Sequence, residues 1–424
     1  MDLELIISFT CKRGIMLNVV FGDFVQMGEF EEFAEALFGQ LSVEINEEKE
    51  ITKLAEMAKD DLSFKVKFDD LEKIAHDVFP VLRKKVEEFL DIKISNDLKM
   101  EFPELVELKK LKGKKVFSDE KSKEYVKELF AAVANEDLNK IADLMKKDTA
   151  KYLVYSTYAI QYISKISTTY GDYLDSVIYL NKFVLSRYPQ IILHKQGVPY
   201  ESRFVNVNSG YVGAVKMTVL EEQIHSAQET LQKLNRDAAT KVNLINEELA
   251  TIILKLDNQI VNELSEYLQL QAVPDDFPFA KKANLFFFLN PDHFLIEQIG
   301  PDVMTFTHVE IDPKISDKIP QLLDIYKRWL IPIQQHHAAF TIMEGMAGFA
   351  IENILNDDMD FKNYLTTFMG TDFSSYQVRK SMGKDFTKKI YEKLGKKTFR
   401  QLIEFPPNTR EIKEPQLYLN RIKP

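Results

Sequence analysis

The chain contains 424 residues, of which 45% are hydrophobic and 28% are charged, and it carries a formal net charge of −10. This composition is typical of a soluble globular protein, and the negative charge argues against a nucleic-acid partner, which normally selects a basic surface. The single cysteine, Cys11, excludes an intramolecular disulfide and a cysteine-rich zinc site.

The N-terminal segment "MDLELIISFTCKRGIMLNVVFGDF" has an acidic residue at its second position and carries Lys12 and Arg13 between two apolar runs. A signal peptide has the opposite order, with positive charge before the apolar run. No uncharged apolar stretch approaches the roughly 20 residues that span a bilayer. The sequence therefore predicts a cytoplasmic protein without a membrane partner.

Residues 1–115 alternate strand-like apolar runs, such as "LELIISF" and "IMLNVVF", with helical patterns such as "FEEFAEALFGQL" and "FDDLEKIAHDVFPVLRKKVEEFL". The charged run "ELKKLKGKKVFSDEKSKEY" at 107–125 is typical of an exposed connection. We therefore predict an N-terminal accessory α/β region at 1–115, followed by a second domain at 116–424.

The second domain has mainly helical periodicity. Apolar residues three and four apart predict helices in 119–147 and in 172–188, whereas 189–217 has the β-branched runs and glycine punctuation of strands. Residues 218–270 contain neither Gly nor Pro, which predicts one long helix or two joined end to end. Further helices are predicted around Leu322–Leu330, Ala338–Leu355 and Gln377–Leu394. The predicted fold class is α+β, helix-rich with a small β component.

The segment "VLEEQIHSAQ" contains Glu221-Glu222-Gln223-Ile224-His225, which differs by one letter from the zinc motif H-E-x-x-H. Glu221 and His225 are four residues apart, so on a helix both side chains can bind one metal ion from the same face. Glu222 would point beside the ion, where it could act as general base on a metal-bound water. The motif therefore indicates hydrolytic metal chemistry.

Two alternatives explain the same residues. Thr218-Val219-Leu220-Glu221 fits the S/T-x-x-E capping box, in which Glu221 would cap a helix that begins at Thr218. Glu222 and His225 also fit the E-x-x-H of di-iron bundles. That site needs a second such motif, and no other histidine of the chain has a glutamate three residues before it.

The C-terminal half adds two further motifs. "HHAAFTIMEGMAGFAIENIL" (336–355) contains E-G-x-A at Glu344, and the chain later carries "PPNTREIKEPQLY" (406–418). Together with Gln228, three residues after His225, this succession from about residue 200 resembles one branch of the gluzincin-type zinc metallopeptidases. The resemblance implies a zincin-like domain with a small sheet and an active-site helix.

By the same resemblance, Glu221, His225 and Glu344 are the ligands of Zn²⁺ and Glu222 is the general base. Glu247 of "INEELA" is an alternative third ligand at a shorter spacing. His337 is either a positioning residue or a core histidine. Tyr376 and Arg379, on the matching Tyr/Gly helix, either stabilise an oxyanion or are structural.

Glu221 stands where the family has a histidine. Two carboxylates and one imidazole would neutralise Zn²⁺ and leave its bound water less acidic, and more oxygen ligands also suit other divalent metals such as manganese or iron. We therefore expect a zinc-dependent metallopeptidase-like protein that hydrolyses a peptide or protein substrate. The alternative is a catalytically inactive zincin-like protein that serves as a binding or scaffolding module.

Overall fold

The computed structural model describes residues 3–7, 67–164, 166, 169–195, 200–270, 273, 278–290, 306–368 and 375–423. The described part is helix-rich and includes a small three-stranded sheet, which is compatible with the α+β class. Cys11 and the predicted elements between residues 8 and 66 lie outside the described residues.

The helices of the described part are α1 (Leu71–Leu90), α2 (Leu105–Lys115), α3 (Lys123–Ala134), α4 (Leu138–Lys147), α5 (Thr149–Ser164), α6 (Lys182–Lys195), α7 (Tyr200–Ser226), α8 (Glu229–Leu254), α9 (Asn258–Tyr267), α10 (Pro278–Leu289), α11 (Pro313–Ser316), α12 (Leu322–Ile354), α13 (Met359–Thr367), α14 (Ser375–Leu394), α15 (Lys397–Glu404), α16 (Thr409–Lys413) and α17 (Pro415–Arg421). The strands are β1 (Leu3–Ile7), β2 (Lys99–Glu101), β3 (Gly171–Leu174), β4 (Val177–Leu180) and β5 (Phe306–Ile311). Among the described helices, none combines the length and the apolar character needed to cross a membrane.

The chain forms two compact units, each built from separated stretches. Of the described residues, the first unit contains those within 3–7, 109–164 and 234–337, and the second contains those within 67–108, 166–233 and 338–423. In the first unit, β1 pairs in parallel with β5. In the second, β4 lies between β2, which is parallel to it, and β3, which is antiparallel.

Helix α7 is the centre of the second unit. It packs against α1, α6, α13 and β3, and its apolar side chains Val215, Val219, Leu220 and Ile224 are fully buried. Helix α13 comes close because α7 carries glycine at the contact: a Cβ on Gly213 would lie 2.1 Å from a backbone oxygen of α13. Burial on several faces fixes α7, and with it the E-E-x-x-H segment near its C-terminal end.

The strand prediction for 189–217 is wrong for the residues that the structure describes there, because 189–195 belong to α6 and 200–217 belong to α7. A helix that is buried on most of its surface has no clear apolar stripe, so its β-branched residues resembled strand patterning. The helix predicted in 172–188 is wrong in its first half, where β3 and β4 form a hairpin. Asp175 and Ser176 make its two-residue turn in the left-handed region, with φ of 50° and 64°.

Other boundaries also differ from the sequence prediction. Residues 218–270 form parts of three helices, α7, α8 and α9. The two helices predicted within 322–355 are the single 33-residue helix α12, which contains Pro332. The exposed connection predicted at 107–125 is largely helical, and Lys109 and Lys112 in α2 are only 6% exposed. Predictions for α1, α3 and α4 are confirmed.

Candidate metal centre

Acidic and basic side chains of the second unit come together from the three helices α7, α12 and α14. Glu221 and His225 lie one turn apart on α7, and Glu344 lies on α12. One potential ligand atom of each of the three residues falls within 4.8 Å of the others. Their side chains are only 15%, 12% and 11% exposed, in that order. The three residues named as ligands from the sequence are thus neighbours in a shielded cluster, hereafter the Glu-His-Glu cluster.

A close crossing of α12 and α14 sets one side of this cluster. A Cβ on Gly345 would lie 2.1 Å from the carbonyl carbon of Gly383, and a Cβ on Gly383 would lie 1.9 Å from the Thr341 carbonyl oxygen. The two backbones are therefore in direct contact, which only glycine permits at these positions. Because Glu344 precedes Gly345 and Lys380 lies one turn before Gly383, the crossing brings the carboxylate and the ammonium to the same place.

Lys380 is the site residue that sequence reasoning missed. Its Nζ donates to Glu221 Oε1 and lies 3.7 Å from Glu344 Oε2. Burial lowers the pKa of the Lys380 ammonium, but Glu221 and Glu344 outweigh that effect and hold it above its usual value. The only sequence signal was a lysine one turn before a helical glycine, and a lysine in a charged helix normally predicts a solvated side chain.

Gln228 fixes the ring of His225. Its Nε2 donates to the Met343 carbonyl over 3.1 Å, and its Oε1 lies 2.9 Å from His225 Nδ1. Because a carbonyl can only accept, the Gln228 amide must turn its oxygen toward the ring, and Nδ1 must carry the hydrogen. Nε2 then faces the Glu-His-Glu cluster, 3.7 Å from Glu344 Oε1. The imidazole is therefore oriented as metal-binding histidines usually are.

The charges in the site act on one another. Burial lowers the pKa of His225, but Glu344, Glu222 and Glu221 raise it above its usual value. Burial raises the pKa of Glu221, but Lys380 and His225 hold it below its usual value. The Glu221 carboxylate therefore keeps its negative charge and attracts cations.

Glu222 is 7% exposed on α7, and its charge contributes to the raised pKa values of both His225 and Lys380. It therefore lies near enough to the cluster to act on it electrostatically. The capping box at Thr218 and Glu221 is wrong, because Thr218 lies well inside α7 and its hydroxyl donates to Ala214. Glu221 bonds Lys380 instead.

Glu247, the alternative third ligand, lies on α8 in the first unit. Its Oε1 accepts hydrogen bonds from the Tyr155 hydroxyl over 2.6 Å and from the Ser122 hydroxyl over 3.0 Å. It is not a member of the Glu-His-Glu cluster. Through these hydrogen bonds Glu247 connects α8 to α5 and to the start of α3, which is a structural role.

The other residues singled out from the sequence lie in helices. His337 is 1% exposed within α12, as a core histidine would be. The Arg379 guanidinium lies over the Phe340 ring at 4.8 Å, a cation–π contact that favours the structural explanation. The backbone of Tyr376 belongs to α14, and its side chain lies outside the described residues.

The donor set suits a divalent cation. Tetrahedral zinc with ligand distances near 2.1 Å requires ligand atoms about 3.4 Å apart, so a spread of up to 4.8 Å needs only a small contraction. Two carboxylates and one imidazole are also ligands that manganese and iron accept. Lys380 is the obstacle, because its ammonium already bonds one of the carboxylates.

Comparisons with known proteins gave no match: no family model matches the sequence, and no curated protein or solved structure is significantly similar to the chain. The zincin-like domain and the metallopeptidase activity therefore stay predictions. Their support is the geometry of the Glu-His-Glu cluster and of the residues around it.

Proposed function

We propose that this protein is a metallopeptidase-like hydrolase in which Glu221, His225 and Glu344 hold a divalent cation. The observation that carries the proposal is the approach of these three side chains within 4.8 Å from two different helices. Burying two carboxylates together is costly unless a cation offsets their charge, and the oriented imidazole beside them completes a donor set that a divalent cation accepts.

A divalent cation held there would supply the Lewis acidity that activates water and polarises a peptide carbonyl. Glu222, next to Glu221 on α7, would be the general base that takes a proton from such a water. Gln228 keeps Nδ1 of His225 protonated and Nε2 turned toward the cluster. The shielded position of the side chains, none more than 15% exposed in the Glu-His-Glu cluster, strengthens each of these interactions.

Metal analysis and kinetics test the proposal with matched variants. Protein purified without chelators should contain about one equivalent of metal, and Glu344→Gln should lose most of it. Glu352→Gln, on the exposed side of the same helix, is the control and should keep it. Glu222→Gln should keep the metal and lose about 10²–10⁴-fold in peptide hydrolysis. Equal metal content in wild type and Glu344→Gln would refute the site.

A second candidate is an inactive zincin-like binding or scaffolding protein, and the bond between Lys380 and Glu221 favours it. In that case the ammonium supplies the positive charge that the carboxylates need, and no cation is required. The variant Glu221→His removes the partner of Lys380 and recreates H-E-x-x-H. Cleavage of a broad peptide library by Glu221→His but not by wild type would indicate a slowed hydrolase. If neither protein cleaves any peptide with metal present, the result would support an inactive binding or scaffolding protein.

A further inference from the structure

Lys380 lies where the Glu-His-Glu cluster needs positive charge. Its ammonium bonds Glu221 Oε1 and approaches Glu344 Oε2 at 3.7 Å, while the other oxygen of Glu344 faces His225 Nε2, also at 3.7 Å. Both carboxylates of the cluster are thus shared with one amine. This arrangement is that of a counter-ion rather than of a solvated surface lysine.

The backbone of α14 cannot easily move away from this place. Gly383 contacts the backbone of α12 directly, so the Cα of Lys380, one turn earlier, has a fixed position. The stem of Lys380 passes over Gly348 of α12, where an added Cβ would lie 3.5 Å from the lysine Cε. The side chain is nevertheless 22% exposed, so rotation of its flexible stem can carry the ammonium out to solvent.

We propose that Lys380 is a built-in counter-ion that competes with a divalent cation for Glu221 and so sets the metal affinity of the site. This inference rests on the proposed metal site. A cation held by the three ligands would lie within a few ångströms of the ammonium, and two like charges at that distance repel strongly in a shielded site. Metal binding therefore requires that Lys380 leave Glu221. Any cation that binds must outcompete the internal ion pair.

The test compares full-length wild type with Lys380→Met and, as a second variant that keeps a polar side chain, Lys380→Gln. Calorimetric titration with Mn²⁺ or Zn²⁺ measures the affinity. Removing one like charge at this distance should lower the Kd by at least about tenfold. Lys384→Met is the control, because Lys384 lies one turn further along α14 and pairs with Glu352 outside the cluster. Its affinity should equal that of wild type within about twofold.

Thermal unfolding gives a readout independent of affinity. Without metal, both Lys380 variants should melt below wild type, because Glu221 and Glu344 lose their counter-ion. Added metal should raise the melting temperature of these variants by more than that of wild type. Lys384→Met should melt close to wild type under both conditions.

The outcomes separate this inference from the proposed function. Equal Kd values for wild type, Lys380→Met and Lys380→Gln would show that Lys380 does not compete with the cation, and the proposed metal site would remain supported. Metal binding by the Lys380 variants but not by wild type would support the counter-ion and overturn metal-dependent function in the natural chain. Failure of all three to bind metal, with equal melting temperatures, would overturn both.

Discussion

Gln228 lies just after α7 and connects the end of that helix to α12, which carries the third proposed ligand. It is fully buried, and its amide bonds His225 Nδ1 on one side and the Met343 carbonyl of α12 on the other. In the sequence, this glutamine was notable only because it stands three residues after His225, as in the gluzincin pattern. Its contacts give a physical reason: it selects the orientation and the tautomer of the imidazole and holds α12 beside the end of α7.

We predict that Gln228→Met destabilises the protein by about 1–3 kcal/mol, because a buried N–H of His225 loses its acceptor. Metal affinity should fall about 10–100-fold, because the imidazole is no longer oriented. Urea unfolding and calorimetric metal titration measure the two effects.

Gln232→Met is the matched control, because Gln232 donates to the backbone carbonyl of His225 over 2.6 Å. It should cost about 0.5–1.5 kcal/mol of stability and change the Kd for metal much less than Gln228→Met. Equal losses of metal affinity in both variants would mean that Gln228 acts only through general stability.

At the scale of elements, the contact between α12 and α14 places Lys380 beside the Glu-His-Glu cluster. The backbones touch at Gly345, Gly383 and Thr341. Ridges of side chains normally keep helix axes 8–10 Å apart, and paired glycines permit a closer approach. The same contact brings the Lys380 ammonium to the carboxylates of Glu221 and Glu344 as their counter-ion.

We predict that Gly383→Ala destabilises the protein by about 1–3 kcal/mol or more, because the new methyl group would overlap the Thr341 carbonyl. The separation of α12 from α14 should also weaken the bond between Lys380 and Glu221. Thermal or urea unfolding measures the stability.

Gly348→Ala is the control for Gly383→Ala, because Gly348 lies one turn after Gly345 on the face of α12 that meets α14. Its methyl group would meet Lys380 Cε at an ordinary 3.5 Å, so the gain in helix propensity should stabilise the protein by about 0.5–1 kcal/mol. A Gly383→Ala variant as stable as wild type would show that the two helices do not pack this closely.

The C-terminal string that carries much of the family resemblance has a structural explanation at this scale. Asn408 and Glu411 form a capping box at the start of α16, and Glu411 is 5% exposed and paired with Arg421 over 2.6 Å. The Tyr418 hydroxyl donates to the carbonyl of Phe405. These residues fasten the C-terminal helices of the second unit and take no part in the Glu-His-Glu cluster.

At the scale of the whole molecule, the two candidate third ligands belong to different compact units. Glu344 is in the second unit with Glu221 and His225, whereas Glu247 is in the first unit with Tyr155 and Ser122. The two carboxylates therefore have separate roles, and a variant of one should not reproduce the effect of the other.

Glu247 predicts a pH dependence of stability. Burial raises the pKa of its carboxyl above the usual value, although the hydrogen bonds of Tyr155 and Ser122 and the charge of Lys151 oppose the shift. Between its unfolded and folded pKa values, the folded chain binds more protons than the unfolded chain, so the stability contribution of Glu247 falls as pH rises through this window.

We predict that Glu247→Gln abolishes this loss of stability with rising pH, because glutamine does not titrate. The variant should therefore become more stable relative to wild type as the pH rises above about 4.5. Urea unfolding at several pH values measures the difference, and calorimetric titration should give an unchanged Kd for metal. Parallel stability curves would contradict the raised pKa. A large loss of metal affinity would instead make Glu247 a ligand.

Features that depend only on neighbours within one or two helical turns could be predicted from the amino-acid sequence. The spacing of Glu221 and His225 places both side chains on one face of any helix, and the periodicity of α1, α3 and α4 identified amphipathic helices with one buried face. Glu344 was identified through a resemblance, since nothing local to residue 344 indicates which helix it will meet.

The other features of the fold and of the site could not be predicted, because they depend on which helix surfaces come into contact in the folded protein. Burial of α7 on several faces removed the periodicity that would have identified 200–217 as a helix. The approach of Lys380 to Glu221 and Glu344 follows from the direct contact of Gly345 with Gly383, which lie on helices separated by α13 in the chain. A lysine has the same local preferences on a solvated helix and beside two buried carboxylates, so only the packing of α14 on α12 makes it part of the site.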